Sequence, residues 1–143
     1  MMKSIVEVEI NKPRQEVATL FADPSNNPKW MKDLKRYEPV IGDRGKPGSQ
    51  YRLIPKKGNM VFLATVLSRK PDELRLNLEA SNVNVSVTGK LEALSPEKTK
   101  LISEEVFTFK GLFNSILGLF AGKSIKSVHR RHIEDFKQFA ERS

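Results

Sequence analysis

The chain has 143 residues, 38% of them hydrophobic and 29% charged, and its 25 Lys and Arg against 17 Asp and Glu leave a net charge of +8. That length suits one domain, residues 1–143, able to bury about two-thirds of the surface that the unfolded chain exposes. Cysteine is absent, which excludes a disulfide framework and any thiolate metal site.

From Ser4 to Ile10 apolar and polar residues alternate, which predicts a half-buried strand ended by Asn11 to Pro13. Lys3, Glu7 and Glu9 interrupt the apolar residues of this segment, so it lacks a signal-peptide core and a cytoplasmic protein is expected. Pro13 suits a first helical turn and Val17, Leu20 and Phe21 fall at i, i+3 and i+4, predicting a short amphipathic helix over Pro13–Ala22. Asp23, Pro24, Asn26, Asn27 and Pro28 end it, and a second helical turn runs into Trp30 and Met31.

From Leu34 onward, turn signals at Gly42–Gly48, Lys57–Asn59, Lys70–Glu73, Ser81–Asn82 and Ser95–Lys98 separate six strand-like runs. Leu74, Leu76, Leu78 and Ala80 alternate with polar residues, as do Val83, Val85 and Val87, so each run has one apolar face. Short reversals between successive runs favour an antiparallel meander. The last run, Thr99–Phe109, leads to Gly111 and then to proline-free, helix-compatible sequence as far as Ser143. A sheet covering one terminal helix leaves a natural place for a ligand between the two layers.

Within that last segment, Ile125, Val128, Ile133, Phe136, Phe139 and Ala140 share one side of a helical wheel. Leu112, Phe113, Ile116, Leu119 and Phe120 fall on the opposite side, so a break is expected between the groups, at Gly118 or Gly122. Leu112 to Ala121 is too short to span a bilayer. It has three readings: buried core, a gate over the pocket, or a patch that touches a membrane or a second subunit through Leu112, Phe113, Ile116 and Phe120. Monomer and homodimer both stay open.

Charge is unevenly spread. Residues 35–70 hold nine basic against two acidic side chains, a local +7, while residues 71–109 hold four against seven, a local −3. The basic region suits either solvated strand edges kept apart by lysine or a face that attracts anionic lipid or nucleic acid. Few aromatics interleave those basic residues, which makes nucleic acid the weaker fit.

His129 and His132 are the only histidines, and both fall on the inward side of the terminal helix. Such residues hydrogen-bond at a core edge or contact a ligand. Two histidines three apart can reach one ion, but no third ligand stands at a motif spacing, so neither metal nor cofactor is expected. If Phe107 and Phe109 face inward, Glu105 does too; a buried carboxylate then needs His132, Tyr51 or an arginine as partner. A bulge would instead turn it to solvent. Trp30 either plugs one end of a cavity or is ordinary core. Glycine-rich phosphate loops, serine elbows and cysteine nucleophiles are missing from the sequence.

The order strand, two short helices, six strands and a long C-terminal helix resembles the helix-grip fold of the START-like (SRPBCC) superfamily, which includes polyketide cyclases and dehydrases, lipid-transfer domains and the birch-pollen allergen. The most recognisable pieces are Asp23 to Met31 (DPSNNPKWM), Gly45 to Leu53 (GKPGSQYRL), and Thr99 through Phe107 and Phe109 to Gly111. The resemblance implies an α+β fold, a curved seven-stranded antiparallel sheet wrapped around the long helix, and a cavity for a lipid, steroid or polyketide-like molecule. Glu105 departs from that pattern, since similar proteins more often carry an apolar residue there.

The expected function is therefore binding or carriage of a small hydrophobic ligand. Trp30, Tyr51, Phe62, Leu76, Val85, Phe107 and Phe136 are expected to line the cavity, with Glu105 and His132 as polar anchors. One alternative is a cyclase, dehydratase or hydrolase that moves protons with His132 and Glu105. The other is a basic-surface module for anionic lipid or nucleic acid.

Overall fold

The computed structural model describes residues 1–111 and 122–143. The strands β1 (Met2–Ile10), β2 (Leu34–Ile41), β3 (Gln50–Pro55), β4 (Phe62–Lys70), β5 (Glu73–Glu79), β6 (Val83–Ser95) and β7 (Lys98–Phe109) form one sheet. Between β1 and β2 lie α1 (Arg14–Ala22), a 3-10 turn (Pro24–Asn26) and α2 (Asn27–Trp30); the last element is α3 (Gly122–Glu141). Strand order is β1-β7-β6-β5-β4-β3-β2, and every pairing is antiparallel. This is the helix-grip arrangement: a meander from β2 to β7, with β1 added beside β7 and the long helix on the inner face.

Period-two burial explains why these segments pair as they do. Val83, Val85, Val87, Gly89 and Leu91 of β6 point inward, as do Thr99, Leu101, Ser103 and Phe109 of β7, while intervening residues face outward. The register between β6 and β7 is unbroken from Val83↔Phe109 to Ala93↔Thr99. Glu105, opposite Val87, therefore keeps the inward parity, and no bulge turns it to solvent. The five predicted turns all stand. Boundaries move slightly: β1 begins at Met2 rather than Ser4, Pro13 caps α1 from outside, and β7 begins at Lys98.

Two groups of buried apolar side chains result. The larger gathers Val6 and Ile10 of β1, Val17 and Phe21 of α1, Trp30, Tyr51, Leu101, and Ile133, Phe136 and Ala140 of α3. The smaller holds Ala80, Val83, Val85, Val87 and Phe109. Phe62, Leu76 and Leu78 pack partly against both, so the groups flank a space between them. α3 packs on β1, α1 and α2. Of the predicted stripe, Ile133, Phe136 and Ala140 are buried, with His129 beside them, Ile125 and Phe139 are half-buried, and Val128, 37% exposed, instead borders an open cleft. The predicted apolar group at Leu112, Phe113, Ile116, Leu119 and Phe120, with its break near Gly118, lies outside the described residues.

Gly89 lets α1 seat against the sheet. A Cβ on it would stand 2.6 Å from Cε2 of Phe21, well inside contact distance. Phe21 fills the space left by the missing side chain and stacks on Trp30, so pushing it outward would disturb the closed end of the inner face. Gly89→Ala should cost about 1 to 3 kcal/mol by overpacking, seen as a lower urea midpoint with an unchanged slope. An unchanged midpoint would mean that Phe21 is free to move.

Candidate functional site

Phe21, Trp30 and Phe136 close one end of the inner face. Their rings meet at centroid distances of 4.9 Å (Phe21–Phe136, edge-on), 5.2 Å (Trp30–Phe136, edge-on) and 6.0 Å (Phe21–Trp30, stacked), contacts each worth about 0.5 to 1.5 kcal/mol beyond burial. Above this plug lies an inner cavity of about 60 Å³, lined by Trp30, Tyr51, Leu74, Leu76, Leu78, Val87, Ser103, Glu105 and His132 among others. That volume corresponds to about two waters at liquid density, too little for a drug-sized molecule. An outer cleft of about 400 Å³ lies beside it, lined by Met31, Leu53, Phe62, Leu78, Val85, Glu105, Phe107, Ile125, Val128 and His132 among others. Its volume falls in the range of about 300 to 1,000 Å³ typical of small-molecule sites. Met31, Leu53, Leu78, Glu105 and His132 border both spaces.

Eight of the nine expected lining residues border one space or the other. Trp30, Tyr51 and Leu76 are on the inner cavity, Phe62, Val85 and Phe107 on the outer cleft, and Glu105 and His132 on both. Phe136 is the exception. It is fully buried and lines neither, because it lies two helical turns beyond His129, where α3 meets α1 and α2 and the space has closed. Trp30 acts as the plug, and its buried indole N–H has no partner among the described residues.

The polar partners also need correction. His132 Nε2 donates to Asp33 Oδ1 at 3.0 Å, at the rim. The histidine that approaches Glu105 is His129, with Nδ1 3.8 Å from Oε1. His129 is fully buried, with Nδ1 2.7 Å from Ser4 Oγ on β1 and Nε2 2.8 Å from Ser103 Oγ on β7. A neutral imidazole offers one donor and one acceptor, so both serines can be satisfied in either tautomer. Tyr51, the other expected partner, is hydrogen-bonded to the Asn27 side chain, and burial pushes its phenol up to about 12. The sequence marked His129 as inward but offered no sign of its serines, because Ser4 and Ser103 come together only when β1 pairs with β7, where Val6 faces Ser103 and Ser4 faces Glu105.

Burial sets the charge of both central groups. The Glu105 side chain is 20% exposed, and desolvation raises its carboxyl from 4.5 to about 7. Desolvation, helped by the nearby His132, Lys126 and Arg130, lowers His129 from 6.5 to about 4. Both shifts favour the neutral forms, so the 3.8 Å approach joins a mostly neutral imidazole to a titrating acid rather than forming a fixed ion pair. Among the described residues no group of three or more acidic or histidine side chains is placed to hold a metal ion, and no helix is long and apolar enough to cross a membrane.

No family model and no curated protein matches the chain. Solved structures do. The Zhui aromatase/cyclase from Streptomyces sp. R1128 superposes with a TM-score of 0.78 at 16% identity, over 98% of this chain and 93% of its own. A START superfamily protein from Mycobacterium smegmatis gives 0.75 at 16%, over 99% and 95%. Ara h 8.0201 gives 0.73 at 17%, over 99% and 98%. At such identities the likeness establishes the fold, which is the START-like helix-grip fold that the sequence resembles.

The two shifts make opposite contributions to stability. Raised above its unfolded value, the Glu105 carboxyl destabilises the fold progressively as pH rises from about 4.5 through about 7. His129, lowered, contributes stability that is present above 6.5 and lost as pH falls toward about 4. Glu105→Gln removes only the first effect. It should match the parent near pH 4.5 and exceed it by about 1 to 3 kcal/mol at pH 8, measured by urea unfolding at the two pH values. A variant no more stable at pH 8 would show that Glu105 is solvated.

Proposed function

We propose that this chain binds or carries a small hydrophobic ligand, lipid, steroid or polyketide-like, in the cleft between the sheet and α3. The observation that carries this is a space of about 400 Å³, walled by side chains such as Phe62, Leu78, Val85, Phe107 and Ile125, in a fold whose other end is closed by packed aromatic rings. Phe62, Leu78, Phe107 and Ile125 are only half-buried there, and Met60 and Val128 are exposed, so a ligand that covers them removes further apolar surface from water. Similar structures include an aromatase/cyclase and a norcoclaurine synthase variant in complex with a transition-state analogue, so the same architecture accommodates organic molecules elsewhere.

A second reading is proton-transfer catalysis of the cyclase, dehydratase or hydrolase kind. What favours it is the presence on one cavity of a histidine oriented by a carboxylate, His132 with Asp33, and a carboxyl that titrates near neutrality, Glu105.

Native mass spectrometry of freshly purified protein should detect a retained small molecule, and a panel of lipids, steroids and aromatic polyketides should raise the melting temperature by several degrees for at least one member near 100 times its Kd. Leu78 borders both spaces. Leu78→Trp should fill their junction and abolish that shift while the variant still unfolds cooperatively. No shift from any panel member at millimolar concentration, with nothing retained, would remove the binding function.

A further inference from the structure

Among the described residues Glu105 has no hydrogen-bond partner, and its ion-pair approach is the 3.8 Å one to the mostly neutral His129. From β6 the residue opposite it is Val87, and from β1 it is Ser4, whose hydroxyl is engaged by His129. From α3 it meets His129, both of whose ring nitrogens are held by serines, while His132 is bonded to Asp33. Lys126, Arg130 and Arg131, further charges on this part of α3, are exposed, and Asp33 is itself acidic. Among the described residues Glu105 thus has neither a hydrogen bond nor a permanent cation, although it borders both the inner cavity and the outer cleft.

An apolar body entering the cleft strips the remaining water from this carboxyl and drives it toward its protonated form. Protonated, it becomes an O–H donor that needs an acceptor. The Trp30 indole N–H, buried on the inner cavity, is a second donor lacking a partner. An ionised Glu105 would instead ask for a cationic ligand, whose approach the net charge of +8 opposes.

We infer that the cleft takes up an uncharged ligand bearing a hydrogen-bond-accepting oxygen, such as a ketone, quinone or ester, to which the protonated carboxyl of Glu105 donates, so that ligand and proton bind together. This rests on the ligand-binding function proposed above and adds the polarity of the ligand and its coupling to pH. Because burial already holds the carboxyl near 7, the coupling operates around neutrality. Affinity is full below that pH and falls as pH rises through it.

The test compares 2-acetylnaphthalene with 2-ethylnaphthalene, which share an apolar body and differ by one carbonyl, by isothermal titration calorimetry in buffers of different ionisation heat. The ketone should bind the parent protein about thirtyfold more tightly at pH 6 than at pH 8.5, following the protonated fraction, with uptake of about half a proton per ligand at pH 7. The hydrocarbon should bind more weakly. Glu105→Gln, which keeps a permanent amide donor, should retain the preference for the ketone at both pH values, and Glu105→Leu should lose it. Equal affinities for the two probes, or ketone binding to the parent without proton uptake, would overturn the inference and leave the binding function standing. Binding of neither probe at either pH would overturn the binding function with it.

Discussion

One imidazole held between two serine hydroxyls decides where the C-terminal helix meets the sheet. His129 reaches Ser4 on β1 and Ser103 on β7 with bonds of 2.7 and 2.8 Å in a fully buried setting, where an unpaired polar group would cost about 1 to 3 kcal/mol. Sliding α3 along the sheet breaks both bonds at once, so the helix is pinned at that height. Everything else about the inner face follows from which side of the pin a residue occupies.

Toward the C-terminus of α3, Ile133, Phe136 and Ala140 descend into the packing of β1, α1 and α2, and the aromatic rings leave no room. Toward its N-terminus, Ile125 packs against the apolar group of Val83, Val85 and Phe109, and Val128 borders the outer cleft that Phe62 and Phe107 also line. The same helix stripe therefore serves as core at one end and as cleft wall at the other. Gly89 belongs to the first half of this arrangement, since its missing side chain is what allows α1 to bring Phe21 against Trp30 and Phe136.

Glu105 lies at the junction of the two halves and makes the cleft chemically distinct from a plain apolar pocket. It is burial, rather than a neighbouring charge, that raises its carboxyl, so its protonation responds directly to how much water a bound molecule displaces. Trp30, Tyr51 and Ser103 add fixed polar atoms along the inner cavity. A fold shared with an aromatase/cyclase and with Ara h 8.0201 can host different chemistries, because function lies in the side chains of the site and not in the frame.

Alternation by itself determined the strands, their order in the meander and their apolar inward faces, because a period of two leaves each strand only one way to bury its apolar side, but it left the parity of Glu105 open until the unbroken pairing of β6 with β7 decided it. Helical spacing determined the inward stripe of α3, and the turn residues set the short antiparallel reversals. Sequence could not decide which inward residues meet a cavity and which meet each other. Phe136 carries the same signal as Phe107 yet is solid core, and His129 the same signal as His132 yet is the one beside Glu105. Those outcomes depend on where α3 stops along the sheet, and that is set by Ser4 and Ser103, which lie 99 positions apart in the chain and become neighbours only through the pairing of β1 with β7.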